Sequence, residues 1–171
     1  MRSCARLLYA MMQLGKAANV KTHIYGSYVH WSAGCGQSTT SYDAYSRDHT
    51  IAVDGKPEIG ASSDPAFRGN ATRYNPEELL VASLSSCHML WYLHLCSVQH
   101  IAVLDYSDNA SGIMQENGDA GQFIEVTLRP VVSITQSTDR AKAQALHEQA
   151  HRRCFIARSV NFPVSVRPTI A

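Results

Sequence analysis

One stretch of the chain, from residue 75 to residue 96, has the apolar pattern of a long helix. Apolar side chains recur there at spacings of three and four residues, which places them on one face of an α-helix. They are Leu80, Leu84, Cys87, Trp91 and Leu95. Leu79, Leu90 and Leu93 widen the apolar surface beyond that face. The pattern predicts a central helix that is buried on most of its sides.

The start of this helix is marked by three residues. Asn75 can accept a hydrogen bond from a free backbone N–H of the first turn, and Pro76 suits that turn because it has no N–H of its own. Glu78 follows Asn75 by three residues, so its carboxylate can reach back to the N–H of the cap. The helix is therefore expected to start here.

Alternating polar and apolar residues predict strands on both sides of this helix. Before it, the alternation predicts strands at 21–31, 39–45 and 49–53, a turn at Asp54-Gly55, and a surface loop over 60–74. After it, strands are predicted at 101–107, 112–115, 123–135 and 164–168. Pro130 indicates an edge or a bulge within the run from 123 to 135.

A second helix is predicted between the last two of these strands. Thr138 is its expected cap, the helix should end near Cys154, and the residues that step along it are Ala141, Ala145, Glu148 and Arg152. The order of strands, helix, strands, helix and strand indicates an α+β fold. In such a fold the helices cover a mostly antiparallel sheet.

Composition narrows the expected partners. The 171 residues suffice for one domain, expected over 21–171 after an N-terminal extension over 1–20. Fifteen basic and fourteen acidic residues give a net charge of +1, and the basic residues are scattered, so nucleic acid is not an expected partner. The apolar patch at 7–12 is too short to cross a bilayer, so no membrane association is expected.

The cysteines suggest a reducing compartment. They are odd in number, and the chain is too large to need disulfides for its stability. The five are Cys4, Cys35, Cys87, Cys96 and Cys154. Reduced thiols and a cytoplasmic location follow as expectations.

Three kinds of chemistry compete for the cysteine and histidine residues. His147, His151 and Cys154 share one face of the second helix, as zinc ligands would, but no fourth ligand is adjacent and no zinc motif occurs. Cys87 next to His88 suggests a nucleophile and its base, although neighbouring helix residues point about 100° apart. The third is thiol redox chemistry between Cys87 and Cys154. His88, His94 and His100 otherwise suit packing or a site rim.

A family resemblance bears on this choice. The segment Asn75-Pro76-Glu77-Glu78-Leu79-Leu80, with Cys87 ten residues after Glu77, resembles the signature of the OsmC/Ohr family of thiol peroxidases. The second cysteine also fits, because 150–154 followed by 162–168 is similar to the family's last helix and final strand. Phe155, and His88-Met89 after Cys87, set the chain apart from typical Ohr proteins. The resemblance implies antiparallel sheets wrapped around a central helix in an intertwined homodimer.

The resemblance also implies a peroxidase cycle without a bound cofactor. Cys87 would attack an organic hydroperoxide or hydrogen peroxide as a thiolate, and Cys154 would then form a disulfide with it. An external dithiol or a lipoyl-type reductant protein would restore both thiols. Met89, Trp91, Tyr92 and Phe155 could line a substrate pocket or belong to the core. The alternative is a non-catalytic dimeric protein of the same fold that binds a small ligand or senses redox state.

A cation must support the thiolate. Cys87 lies about 18 Å along the helix from the cap, where the helix dipole has faded. The resemblance implies an arginine paired with Glu77, and Arg47 is the first choice and Arg68 the second. Glu77 is about 15 Å from Cys87 along a straight helix. Three arrangements remain open: the arginine spans the gap, the helix is broken, or the glutamate comes from another subunit.

Overall fold

The computed structural model describes residues 20–34, 36, 38–135 and 139–171. The predicted extension over 1–20 therefore lies almost wholly outside the described residues. The described elements are β1 (Tyr28–His30), β2 (His49–Ala52), β3 (Ile59–Ala61), a 3-10 helix (Pro65–Phe67), α1 (Pro76–Val98), β4 (Val103–Asp108), β5 (Ser111–Asn117), β6 (Ala120–Leu128), β7 (Pro130–Ile134), α2 (Arg140–Arg153), a second 3-10 helix (Ala157–Ser159), β8 (Val164–Val166) and β9 (Thr169–Ile170). This order confirms the predicted α+β fold with a central helix.

Most strand pairs are antiparallel. β1, β2 and β3 form a meander before α1, while β4 pairs with β7 and β5 with β6. The C-terminal strands add in parallel, β8 beside β6 and β9 beside β7. Within the described part of the chain, three separate three-stranded sheets result. After α2, the chain therefore runs parallel first to β6 and then to β7.

The last residues are tied to both α2 and β7. The Arg140 guanidinium at the start of α2 donates to the carbonyl of Ile170. The backbone N–H of Ala171 donates to the carbonyl of Val132 at 2.7 Å. These bonds join α2 to the sheet formed by β4, β7 and β9.

The predicted capping box at the start of α1 is present. Asn75 Oδ1 accepts a hydrogen bond from the Glu78 N–H at 2.7 Å, and Glu78 Oε2 accepts one from the Asn75 N–H at 3.1 Å. The Asn75 amide also donates to Asp64 Oδ2 at 3.4 Å, which links the helix start to the preceding 3-10 helix. The cap fixes where α1 begins and how the chain enters it.

Two groups of apolar side chains form the core, one along each half of α1. The C-terminal half packs against α2, β7 and β9; its group includes Tyr92, Leu95, Ile101, Val132, Ala143, Leu146, Ala150 and Ile170. The N-terminal half places Leu84 against Val126 and Leu128 of β6. Between the two groups along α1 lies His88, which is fully buried.

The prediction that α1 is buried on most sides is wrong for a single chain. Its buried residues lie along one stripe, because α2 and the sheets cover only that side; they are Leu84, His88, Tyr92, Leu95 and Cys96. Leu90 is 60% exposed and Val98 is 56% exposed. The helix is long and apolar enough to cross a membrane by composition, a test that core helices of soluble proteins also pass.

The strand predictions before α1 are partly wrong. Residues 39–45 form turns rather than a strand, and there the Ser41 hydroxyl donates to Asp43 at 2.7 Å. Such short polar side chains bind nearby groups in competition with a sheet ladder. Of the strand predicted at 21–31, only β1 forms. The loop predicted over 60–74 contains part of β3 and the first 3-10 helix.

The predictions after α1 hold more closely. The run from 123 to 135 is divided at Arg129, immediately before Pro130 begins β7. The predicted cap Thr138 lies outside the described residues, and α2 follows Asp139. The helix ends at Arg153, next to Cys154, as predicted.

Replacing Asn75 with alanine should lower the free energy of unfolding by about 1–2 kcal/mol, because both the cap bond to Glu78 and the bond to Asp64 are lost. Urea unfolding measures the change. Asn75→Ser is the control: its hydroxyl can still accept from the third helical N–H, so most of the stability should remain. Equal losses in the two variants would contradict the role of the cap.

Candidate active site

The structure brings together two of the predicted site residues, Cys87 and Cys154. Cys87 lies near the middle of α1, and Cys154 is the first residue after α2. Burial raises the pKa of the Cys154 thiol to about 11, and hydrogen bonding and charge interaction with Cys87 add to this increase. Both cysteines are free thiols. The two side chains therefore lie close enough to interact.

The two thiols differ in their access to solvent. Cys87 is half-buried and lines an open cleft of about 590 Å³, here called the thiol cleft. Cys154 is 1% exposed, and its sulfur accepts a hydrogen bond from the Ala157 N–H at 3.4 Å. A molecule entering from solvent meets Cys87 first. Cys154 remains behind it as a neutral thiol.

The thiol cleft has aromatic and apolar walls. It is lined by Ser83, Ser86, Cys87, Leu90, Trp91, His94, Phe155 and Ile156. Trp91 makes edge-to-face contacts with Phe155 at 5.5 Å and with His94 at 5.8 Å between ring centroids. The Arg153 guanidinium lies over the Trp91 ring at 5.9 Å. Such walls favour an apolar ligand and place a cation near the rim.

Four residues were predicted to line a pocket or to belong to the core, and their environments differ; they are Met89, Trp91, Tyr92 and Phe155. Trp91 and Phe155 line the thiol cleft. Tyr92 is fully buried and belongs to the core between α1 and α2. Met89 lines a different cleft, described next.

Glu77 lies in a second cleft, of about 810 Å³, on the same helix. The carboxylates of Asp64, Glu78 and Asp108 also line it, so we call it the acidic cleft. Glu77 Oε2 is buried and has no hydrogen-bond partner among the described residues. Ser86, which precedes Cys87, lines both clefts. The glutamate and the thiol therefore occupy adjoining clefts.

The helix between Glu77 and Cys87 is unbroken, because α1 runs from Pro76 to Val98. Ten residues of helix correspond to about 15 Å, which is too far for direct contact. Of the three arrangements left open by the sequence, the broken helix is excluded. An arginine that spans the gap and a glutamate contributed by another subunit remain.

Neither candidate arginine contacts Cys87 or Glu77 within the described part of one chain. The Arg47 guanidinium donates to the carbonyls of Tyr42 and Tyr45 and lies 3.9 Å from the centre of the Tyr45 ring. It lines a small pocket with Pro76, at the start of α1. Arg68 is exposed and ends the first 3-10 helix with a left-handed φ of 62°. Which of them serves the thiolate stays a prediction.

A buried pair of histidines was not predicted. His88 Nε2 and His147 Nδ1 are 3.0 Å apart, and the Tyr92 ring stacks on His147 at 3.8 Å between centroids. By sequence, His88 is a possible partner of Cys87, and His147 is a possible metal ligand together with His151 and Cys154. Within the described residues, no group of three or more potential ligands has the geometry to hold a metal. The signal available in the sequence was the spacing that places His147 and Cys154 on one face of α2, the face that packs against α1.

Burial keeps both histidines neutral. It lowers the pKa of His88 to about 4, and the nearby His151 lowers it further while Asp108 opposes the change. Burial also lowers the pKa of His147 to about 3, with His88 as the second cause. Two neutral rings can form a hydrogen bond only if one nitrogen of the pair carries the proton. The pair is therefore a neutral donor and acceptor between α1 and α2.

Comparison with known proteins identifies relatives of this arrangement. Residues 69–169 match the family model described as OsmC-like protein. Organic hydroperoxide resistance protein OhrB of Bacillus subtilis is 29% identical over 119 residues, covering 70% of this chain and 85% of that protein. A solved OsmC-like protein of unknown function from Vibrio cholerae is 32% identical, with a TM-score of 0.76 over 86% of this chain and 99% of that one.

A more distant structure shares the fold. It is an organic hydroperoxide resistance protein OsmC from Legionella pneumophila, 19% identical, with a TM-score of 0.59 over 88% of this chain and 99% of that one. The similarity extends beyond residues 69–169 to elements before α1. The fold thus matches in both its N-terminal and its C-terminal parts.

Alkylation should distinguish the two thiols. At pH 8, iodoacetamide should modify Cys87 at least about tenfold faster than Cys154, because Cys87 lines an open cleft and only about one in a thousand Cys154 side chains is a thiolate at a pKa of about 11. Peptide mass spectrometry over time measures both rates. In denatured protein the rates should converge. Equal rates in the folded protein would contradict the assigned asymmetry.

The histidine pair should make stability fall in acid. Both folded-state pKa values lie below the ordinary value of 6.5, so the unfolded chain binds more protons below that pH. The contribution is complete above about pH 6.5 and is lost progressively as the pH falls toward 4. Urea unfolding between pH 7 and 4 should show a decrease of a few kcal/mol. His88→Leu should make this slope shallower, whereas an unchanged slope would argue against neutral buried rings.

Proposed function

Because the chain belongs to the OsmC-like protein family, we propose that it is a cysteine-based peroxidase that reduces hydroperoxides through Cys87 and Cys154. One observation carries this proposal: a half-buried thiol that lines an open cleft lies against a fully buried second thiol. The similarity to an organic hydroperoxide resistance protein supports it.

In the first step, the Cys87 thiolate attacks an oxygen of the hydroperoxide. An S–O bond forms, the O–O bond breaks, and the leaving alkoxide takes a proton to become an alcohol, or water when hydrogen peroxide is the substrate. Cys87 is then a sulfenic acid. The apolar walls of the thiol cleft favour an organic hydroperoxide over hydrogen peroxide, because Leu90, Trp91 and Phe155 can contact an alkyl or aromatic group.

In the second step, Cys154 resolves the sulfenic acid. Its sulfur attacks the Cys87 sulfur, an S–S bond forms, the S–O bond breaks, and the thiol proton leaves with the hydroxyl group as water. A dithiol or lipoyl-type reductant protein then returns both cysteines to thiols and is itself oxidised to a disulfide. The cycle requires no bound cofactor. It suits a reducing compartment such as the cytoplasm, where such dithiols are maintained.

The proposal includes an intertwined homodimer that completes the site. Among the described residues of one chain, Glu77 Oε2 has no hydrogen-bond partner although it is buried, and an unpaired buried oxygen of a charged group is costly. A guanidinium from a second copy, Arg47 or Arg68, would pair with Glu77 and reach across Ser86 to Cys87. Apolar residues of β1 and α1 are also exposed in one chain, including Tyr28, Val29, Leu90 and Val98. A second copy would cover these surfaces.

Peroxide consumption tests the function. With a hydrophobic organic hydroperoxide and a dithiol in excess, the protein should turn over many times, and Cys87→Ser should lower the rate at least about 100-fold because the nucleophile is lost. When a monothiol that reduces the Cys87 sulfenic acid only slowly replaces the dithiol, Cys154→Ser should consume one peroxide per chain and then stop. Cys96→Ala is the matched control, because Cys96 is 1% exposed and lies in the core away from the cleft.

The outcomes separate the peroxidase from the alternative. Unchanged consumption in Cys87→Ser would refute the proposal. A folded protein that forms the Cys87–Cys154 disulfide with peroxide, but does not turn over with any dithiol, would instead support a redox sensor of the same fold. Folding of each variant is checked by circular dichroism and thermal unfolding.

A further inference from the structure

Contacts between polar side chains link α1 to α2 and to the residue that follows it. The thiols of Cys87 and Cys154 lie close enough to interact, and the rings of His88 and His147 form a hydrogen bond. The first members of the two pairs are consecutive residues on α1. His147 and Cys154 are seven residues apart, so they lie on one side of α2, about 10 Å from each other along the helix axis. Along α1, the histidine contact is therefore one residue from the thiol contact. Along the second helix it is about two turns away.

The histidine contact is a buried, directional contact in this interface, whereas the bond from Lys142 of α2 to the carbonyl of Gln99, just after α1, is exposed. His88 is 0% exposed and His147 is 2% exposed, and their ring planes differ by only 11°. Around them the helices meet through apolar side chains such as Leu95, Leu146 and Ala150, whose contacts have no directional preference. A hydrogen bond 3.0 Å long between two packed rings adds such a preference, because its strength falls steeply with misalignment.

Cys154 lies just beyond the part of α2 that this bond holds. Its backbone is extended, with φ of −64° and ψ of 112°, and the chain then turns into the second 3-10 helix. A disulfide requires Cα atoms about 4.4–6.8 Å apart and a defined torsion angle about the S–S bond. Whether the bond can form therefore depends on where α2, which Cys154 directly follows, lies against α1.

We infer that His88 and His147 are positioning residues for disulfide formation. Their hydrogen bond fixes the register of α2 on α1 and thereby keeps the Cys154 sulfur next to the Cys87 sulfur. The inference rests on the proposed function, because the step it assists is attack of the Cys154 sulfur on the Cys87 sulfenic acid with loss of water. Neither histidine touches the peroxide or takes up its oxygen.

Substitutions at His88 can keep or remove the bond. The side-chain amide of His88→Gln reaches the place of Nε2 and can still pair with His147 Nδ1. His88→Leu fills similar space without a polar group. His88→Asn keeps an amide but is shorter by one methylene, so it cannot reach His147. The Gln and Asn variants thus share their chemistry and differ in reach.

Two measurements report on positioning. The first is equilibrium of the Cys87–Cys154 disulfide with a glutathione redox buffer, which gives the effective concentration of one thiol toward the other. The second is the rate of disulfide formation after one equivalent of organic hydroperoxide, followed together with the rate of sulfenic acid formation. His88→Leu and His88→Asn should lower the effective concentration at least about tenfold, or about 30 mV for this two-electron couple. They should slow disulfide formation to a similar extent and leave sulfenic acid formation within about twofold of the parent.

His88→Gln should stay within about threefold of the parent in both measurements. If His88→Leu does not fold, the comparison of Gln with Asn decides, and His147→Asn against His147→Leu repeats it from the other helix, because an Asn amide occupies the place of Nδ1. Folded Asn and Leu variants with unchanged redox equilibrium and unchanged disulfide formation would overturn the inference. So would a Gln variant as impaired as the Leu variant.

The redox equilibrium needs no peroxide turnover, so the two proposals can fail separately. If the parent protein does not consume hydroperoxide but His88→Asn still weakens the disulfide, the peroxidase proposal fails and the positioning role stands. If the parent turns over and the histidine variants leave the disulfide unchanged, the positioning role fails alone.

Discussion

The packing of α1 against α2 is the contact on which the rest of the structure depends. Cys87 lies on α1 and Cys154 is the first residue after α2, so the packing of the two helices places the two thiols next to each other. The apolar core on the C-terminal half of α1 holds the two helices together, and β7 and β9 close it from the other side. The sheets thus support a helix pair, and the two thiols lie beside each other where α2 ends.

The same contact makes the thiols unequal. Burial against α1 removes Cys154 from solvent and keeps it protonated, while Cys87 remains at the floor of a cleft. At the start of α1, the buried oxygen of Glu77 has no hydrogen-bond partner among the described residues. Cys87 and Glu77, neither of which contacts Arg47 or Arg68 within the described part of one chain, lie in adjoining clefts. In the proposed dimer, one guanidinium from a second copy would serve both.

Features encoded by neighbouring residues were predictable from the sequence. The cap formed by Asn75 and Glu78 depends on residues three apart, and the end of α2 at Arg153 follows from local pattern. The fold class followed from the order of elements, and the interest of Cys87 and Cys154 followed from a family signature. The strand expected over 39–45 failed because the Ser41 side chain bonds to Asp43 within a turn. The pairing of His88 with His147 could not be predicted, since 59 residues separate them and only the packed helices bring them into contact.

The parallel pairing of β8 and β9 affects the order in which the fold forms during synthesis. Paired residues are 38 positions apart in both β6–β8 and β7–β9, so the C-terminal segment follows β6 and β7 without a change of register. Arg140 of α2 is bonded to Ile170, and Val132 to Ala171. During synthesis on the ribosome, α2 therefore leaves the exit tunnel before the strand that secures it. Both cysteines therefore precede residues 164–171, which pair with β6 and β7 and bind α2, and the fold around the two thiols is complete only when those residues have emerged.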